Sequence, residues 1–256
     1  MTGNYYKPTE KIADFVDSIL VVENNDTIKH FSLPLFANGK PTLLFQTSKV
    51  TIKNSSNYLT LFGQTILPDK ITFNGHFILI AFFFKPFALT TLFSFSAKDL
   101  TDYPINLNLI QPQKASLLQE QLLNANSVKE MVALLDDFIF TLTTKIKTDN
   151  KLIKFATNLI ASKPSKEILK KVQDELYVTE RTFQRMFEDK IGLSPNQYRR
   201  IAQFNAAFQQ LNQHQFERLS DIVFRNDYAD QSHFIRAFKE FTNMTPKEYL
   251  NLGKSG

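Results

Sequence analysis

A chain of 256 residues, 43% hydrophobic and 21% charged, has the ordinary mix of a globular protein and is long enough for two cores. With no cysteine, it excludes disulfides, zinc–thiolate sites and cysteine nucleophiles. The net charge of +5 falls in the second part: residues 1–150 hold 13 Lys+Arg and 13 Asp+Glu, whereas residues 151–256 hold 17 and 12, an excess that fits either a polyanion partner or a solvated basic surface.

The opening MTGNYYKPTEK has no apolar run, so no signal peptide is expected and the cytoplasm is the expected compartment. A helix is expected around Glu10–Leu20. From Phe31 to Phe95 the text is Phe-rich and β-branched, and Asn38-Gly39, Pro68-Asp69 and Asn74-Gly75 cut it into strand lengths. Asn74-Gly75, between ITF and HFILI, reads as a hairpin turn. The run FILIAFFF, Phe77 to Phe84, is far short of the ~18 residues a spanning helix needs, so it reads as a buried strand and no membrane partner is expected. Together these segments predict an α+β chain whose N-terminal part is a mostly antiparallel β barrel or sandwich with flanking helices.

The Phe-rich strands either line an apolar pocket, with Gln64, His76 and Lys85 as its polar groups, or form plain core. His30 and His76 lack identifiable partner ligands, so neither a metal nor a cofactor is expected. Residues 114–146 carry apolar residues three and four apart and read as a helical part that either pairs with a second copy or packs on the sheet. The polar KTDNK, 147–151, reads as a hinge, which places a sensory or dimerising domain at 1–148.

After residue 151 nothing reads as a strand. Helices are predicted at about 151–162, 166–175, 179–190, 195–211, 219–225, 231–241 and 246–250, an all-α domain of seven helices over 151–251. Within it one pattern is written twice: TFQRMFEDKIGLSPNQY from Thr182 and HFIRAFKEFTNMTPKEY from His233, 51 residues apart. A period of 51 residues with two copies suits a duplicated small motif rather than a solenoid. Each copy ends its helix at a left-handed position (Gly192, Asn243) and starts the next with a hydroxyl N-cap (Ser194, Thr245) and a proline (Pro195, Pro246).

Phe183, Met186 and Phe187 form one apolar face, leaving Glu180, Arg181, Gln184 and Arg185 opposite. Phe234, Ala237, Phe238 and Phe241 do the same, leaving Gln231, Ser232, Ile235, Arg236 and Lys239. A short helix, a tight turn and a second amphipathic helix bearing Arg and Gln outward is the helix-turn-helix pattern. Arg can bond guanine O6 and N7, and Gln adenine N6 and N7; the bland alternative pairs Arg185 and Arg236 with Glu188 or Glu240. The connecting helix of roughly 25 Å can hold two such units roughly 34 Å apart, one turn of B-DNA.

The text LSDIVFRNDYADQSHFIRAFKEFTNMTPKEYL resembles the C-terminal signature of the AraC/XylS family of bacterial transcription regulators, and VTERTFQRMFEDKIGLSPNQYRR resembles the first motif of the same module. The resemblance covers about residues 151–251. It implies two helix-turn-helix units joined by a long helix and binding double-stranded DNA, with Arg181, Thr182, Gln184 and Arg185 at one groove and Gln231, Ser232, His233 and Arg236 at the next. Three positions depart from the family pattern: Asp227 and Asn243 stand where glycine is usual, and Val223 where alanine is usual.

Residues 1–110 are similar to an uncharacterised β-rich domain found before this module in regulators of the Bacteroidetes type, through FVDSILVVE, LPLFANGKPTLLF, LFGQ and FFFKPFAL. In such proteins the N-terminal part senses a small molecule or dimerises, so an effector, a homodimer and RNA polymerase are the further partners the resemblance brings into view. An enzyme is not expected: alkyl-transfer repair chemistry fused to this module needs cysteines, and no glycine-rich phosphate loop, GxSxG or HExxH is present. A protein-interaction regulator with a vestigial DNA face is the remaining alternative, with Asp227 as its main support.

Overall fold

The computed structural model describes residues 2–25, 31–52, 55–73, 75–144, 146 and 149–252. Its strands in chain order are β1 (Thr2–Tyr6), β2 (Val16–Asn24), β3 (Phe31–Leu35), β4 (Thr42–Ile52), β5 (Ser55–Phe62), β6 (Asp69–Phe73), β7 (Phe77–Phe84) and β8 (Ile105–Asn106). Six of them form one antiparallel sheet in the order β1-β2-β7-β4-β5-β8, and β3 and β6 form a separate ribbon. The run FILIAFFF is β7, paired with β2 on one side and β4 on the other. Because both its faces are covered, it is apolar at nearly every position. Ile80 and Phe82 point into one core with Leu43 and Phe45, while Leu79 and Ala81 point into a second with Leu44, Ile71 and Phe73, the period-two consequence of the pleat.

The second face is covered by the β3–β6 ribbon. The first is covered by α1 (Ala88–Phe93), α2 (Leu107–Ile110), α3 (Pro112–Asn124) and α4 (Val128–Thr143). Leu118 and Leu122 of α3, with Leu135 and Ile139 of α4, are in that core, so the apolar stripe expected over 114–146 packs on the sheet. The layers give the sandwich half of the expectation. The barrel half is corrected: β1 and β8 stay at opposite edges and the sheet does not close.

Two local expectations also change. The helix expected at Glu10–Leu20 is one turn, in which the Phe15 and Val16 N–H groups donate to the Ile12 carbonyl, and then β2 begins. The stretch from Val16 is rich in β-branched residues and finds partners on both β1 and β7, so a ladder outcompetes a helix. The Asn74-Gly75 hairpin is not formed between its flanking strands, since β6 pairs with β3 and β7 with β2 and β4. Instead Phe73 stacks on Phe77 at 4.1 Å as the chain crosses from ribbon to sheet. Asn74 itself, His30 and residues 147–148 of the expected hinge lie outside the described residues.

The helical part follows the sequence closely: α5 (Lys151–Ser162), α6 (Ile168–Leu176), α7 (Glu180–Ile191), α8 (Pro195–Asn212), α9 (Leu219–Arg225), α10 (Gln231–Thr242) and α11 (Pro246–Leu252). Phe183, Phe187, Phe204, Phe234, Phe238 and Phe241 are buried at its centre. Ser194 and Gln197 form a reciprocal capping box on α8. Thr245 and Glu248 exchange the same bonds ahead of α11.

One of the places where the sheet part and the helices meet is α7. An added Cβ on Gly192, which closes α7 at φ +84°, would lie 2.6 Å from the Ala97 backbone carbonyl. Thr101 Oγ1 lies 3.3 Å from the Gly192 carbonyl and Thr90 Oγ1 3.4 Å from the Lys190 carbonyl, each hydroxyl sharing its one hydrogen with a carbonyl of its own segment, Ala97 and Phe87 respectively. The last turn of α7 is thus fastened to the short tight helix Ala97–Leu100 and to α1.

Candidate nucleic-acid interface

The first unit comprises α6, a tight turn and α7. Tyr177 takes the left-handed conformation (φ 53°) that ends α6. Thr179 then caps α7, its hydroxyl accepting the Thr182 N–H at 3.2 Å. With Phe183 and Phe187 buried beneath, Arg181, Thr182 and Arg185 are exposed and Gln184 is half-buried, bonding Glu188 at 2.7 Å.

The second unit repeats this geometry with α9 and α10. Asp227 adopts φ 57° and Asn243 φ 60°, so both replacements for the usual glycine hold the left-handed turn. Val223 is accommodated in the helical core. Asp230 caps α10 through the His233 N–H at 2.7 Å. Gln231, Ser232 and Arg236 are exposed and His233 is half-buried against Tyr228, with ring centroids 5.3 Å apart. The Ala229 N–H points at His233 Nδ1 (3.4 Å), which leaves Nε2 as the hydrogen-bearing, donating nitrogen.

The bland pairing of the two arginines is not realised. Glu188 takes Gln184, Glu240 takes Arg200, and among the described residues Arg185 and Arg236 form no ion pair. Among the described residues neither guanidinium group donates to a side chain.

The sequence reading missed what fixes the second turn. Arg199, buried on α8, donates to Asn196, to the Pro164 carbonyl and to Gln203 Oε1. Gln203 Nε2 in turn donates to the Asn226 and Asp227 carbonyls at 2.9 and 3.0 Å. Burial pushes the Arg199 pKa down from its usual value, yet the group keeps four bonds to oxygen. Arg199 and Gln203 stand four apart on one face of α8, a spacing that could have flagged them; the loop carbonyls they reach could not be read from the sequence.

The three N-terminal pocket candidates do not converge. Gln64 is buried, with Nε2 3.4 Å from the Gly39 carbonyl. Lys85 donates to the Ala13 carbonyl (2.6 Å), and burial lowers its pKa. His76 is exposed in the turn before β7. No cluster of metal-ligating side chains occurs among the described residues, and no helix among them is long and apolar enough to cross a membrane.

Comparison with known proteins matches residues 173–251 to a helix-turn-helix domain family and residues 4–106 to a domain of unknown function, DUF6597. Residues 173–251 thus carry a helix-turn-helix domain. Among curated proteins, the transcriptional activator RhaR of Escherichia coli K12 is 31% identical over 125 residues, 48% of this chain and 44% of RhaR. RhaR of Shigella flexneri gives the same figures. The chain thus spans under half the length of these relatives. Among solved structures, ToxT from Vibrio cholerae O395 matches with a TM-score of 0.50 at 15% identity, covering 93% of this chain and 98% of ToxT. That likeness extends the shared fold from the helix-turn-helix module to the N-terminal sheet.

Proposed function

We propose that the chain is a sequence-specific DNA-binding transcriptional regulator. The observation that carries this reading is the pair of like units, α6–α7 and α9–α10, each presenting an unpaired arginine outward, joined by α8 of 18 residues, roughly 27 Å long at 1.5 Å per residue. Arg181, Thr182, Gln184 and Arg185 read one major groove. Gln231, Ser232, His233 and Arg236 read the next, with backbone N–H groups and Lys/Arg on phosphates setting register. In this reading 151–251 is the DNA-binding unit and 1–148 modulates it, through a small molecule or a second copy, from within the cytoplasm. RNA polymerase is the partner through which a bound regulator acts. With φ 57° at Asp227, the departure that supported a vestigial DNA face no longer does so.

The test is selection of the intact protein against fragmented genomic DNA, followed by anisotropy at two salt concentrations. Recovery of two short blocks about one helical turn apart supports the reading. Sequence-blind binding refutes it.

A further inference from the structure

Side chains of α8 tie the two helix-turn-helix units to one another. Arg199, 6% exposed, directs its Nε and Nη2 at Asn196 Oδ1 (3.2 and 3.1 Å), which pins the guanidinium to its own helix. Its Nη1 lies 3.1 Å from the Pro164 carbonyl, in the loop that leads into α6, and 3.1 Å from Gln203 Oε1. That nitrogen carries two hydrogens, so one goes to each side. Gln203, 4% exposed, passes the link on, since its Nε2 meets the Asn226 and Asp227 carbonyls at 2.9 and 3.0 Å. The line of bonds thus runs from the approach to the first unit into the turn of the second.

This arrangement also fixes which way the Gln203 amide faces. Arginine can only donate, so Gln203 must show it the oxygen, which turns the amide nitrogen toward the two carbonyls of the turn. A reversed amide would set donor against donor and oxygen against oxygen. Two other polar links join α8 to the second unit, Gln210 with Asn226 and Arg200 with Glu240, but neither reaches back to the first. The remaining attachment is apolar: Phe204 meets Phe238 and Phe241 with ring centroids 5.7 and 5.0 Å apart, and such burial is strong without being directional. The first turn has no comparable tether. Tyr177 and Val178 bond carbonyls of α6 itself, and among the described residues no side chain donates to the Leu176 or Tyr177 carbonyl.

We propose that Gln203, oriented by Arg199, is the positioning residue that sets the separation at which the two units read DNA. The inference rests on the DNA-binding reading and adds to it a residue that touches no base. One extra base pair between two blocks moves them about 3.4 Å apart and turns one roughly 35° about the duplex axis relative to the other. A clamped second unit cannot follow that displacement; a released one can.

The test uses the intact chain and the DNA recovered by selection, with its two blocks at the selected separation and at one base pair more or less. The parent is expected to lose about tenfold or more in affinity at either altered separation, the scale of a mismatched base pair. Gln203→Glu keeps the size of the side chain but turns oxygen on the two carbonyls, so it should lose about threefold or less there, with preference inside the first block as in the parent. Gln203→Met, uncharged and as long, takes its place should that variant lack a cooperative melt. Arg199→Met removes the orienting donor and should relax the separation likewise, and the double variant should be no looser than either single one, as for groups that act as a unit. The Tyr228 amide, bonded to the Val223 carbonyl at 3.1 Å, should exchange faster in each variant, whereas the Gly192 amide at the end of α7 should not. Variants that bind the two blocks with the parent's separation preference overturn the inference alone. Equal weakening at every separation, the mark of a merely less stable fold, overturns it too, as does unchanged Tyr228 exchange, because Gln203 then does not hold the turn. Sequence-blind binding by the parent overturns the regulator reading and the inference with it.

Discussion

At the scale of single residues, Arg185 and Arg236 stand 51 positions apart on equivalent faces, exposed and, among the described residues, without carboxylate partners. If each reads a base, alanine at either costs about 1–3 kcal/mol of binding and relaxes preference in its own half-site alone, measured by anisotropy against sites mutated one block at a time. Uniform weakening across sequences would make them phosphate clamps instead. These positions were legible because a helix puts side chains three and four apart on one face. What surrounds them was not: Gln184 is drawn to Glu188, and the second turn is held by Arg199 and Gln203 from a helix some twenty residues away in sequence. The nearest carboxylate to a cation is a local guess, and here the guess failed because Arg200, not Arg236, reaches Glu240.

At the scale of elements, the seven C-terminal helices lie where periodicity and caps put them, because each of those signals is local. Strand partners are not local. The flanks of Asn74-Gly75 each had a better partner elsewhere, so two good strands around a good turn did not make a hairpin. The start of α9 offers a test of a cap. Asp221 accepts the Arg218 and Glu217 N–H groups at 2.8 and 3.0 Å, and these bonds hold its carboxyl below the usual carboxylate range. A depressed folded pKa means the contribution is complete above the unfolded value and fades as pH falls through the folded one. Amide protection in α9 should therefore drop on acidification, and Asp221→Asn should flatten that dependence. The junction of α7 with the sheet offers a second. Gly192→Ala meets both a left-handed backbone and the Ala97 carbonyl at 2.6 Å, so it should cost about 2–4 kcal/mol in urea unfolding; a near-neutral result would show that the contact yields freely.

At the scale of the molecule, all of the positive excess lies after residue 150, on the part that carries both helix-turn-helix units. Binding driven by phosphate contacts should weaken steeply with salt, with a log–log slope of about 0.9 per neutralised phosphate, and Arg181→Ala should make that slope shallower if Arg181 touches the backbone. A flat salt response would remove nucleic acid as the partner. The charge asymmetry and the division into a sheet part and a helical part could be read from the sequence; the seam between them could not, since it depends on Ala97 meeting Gly192 across 95 residues of chain. That seam treats the two copies of the motif unequally. Gly192 is pressed against backbone, whereas its counterpart Asn243 is exposed. After a duplication, then, the copies do not drift with equal freedom: at 192 only glycine leaves the joint closed, while at 243 any residue at ease in a left-handed turn will serve. The second copy is the one with the freer turn.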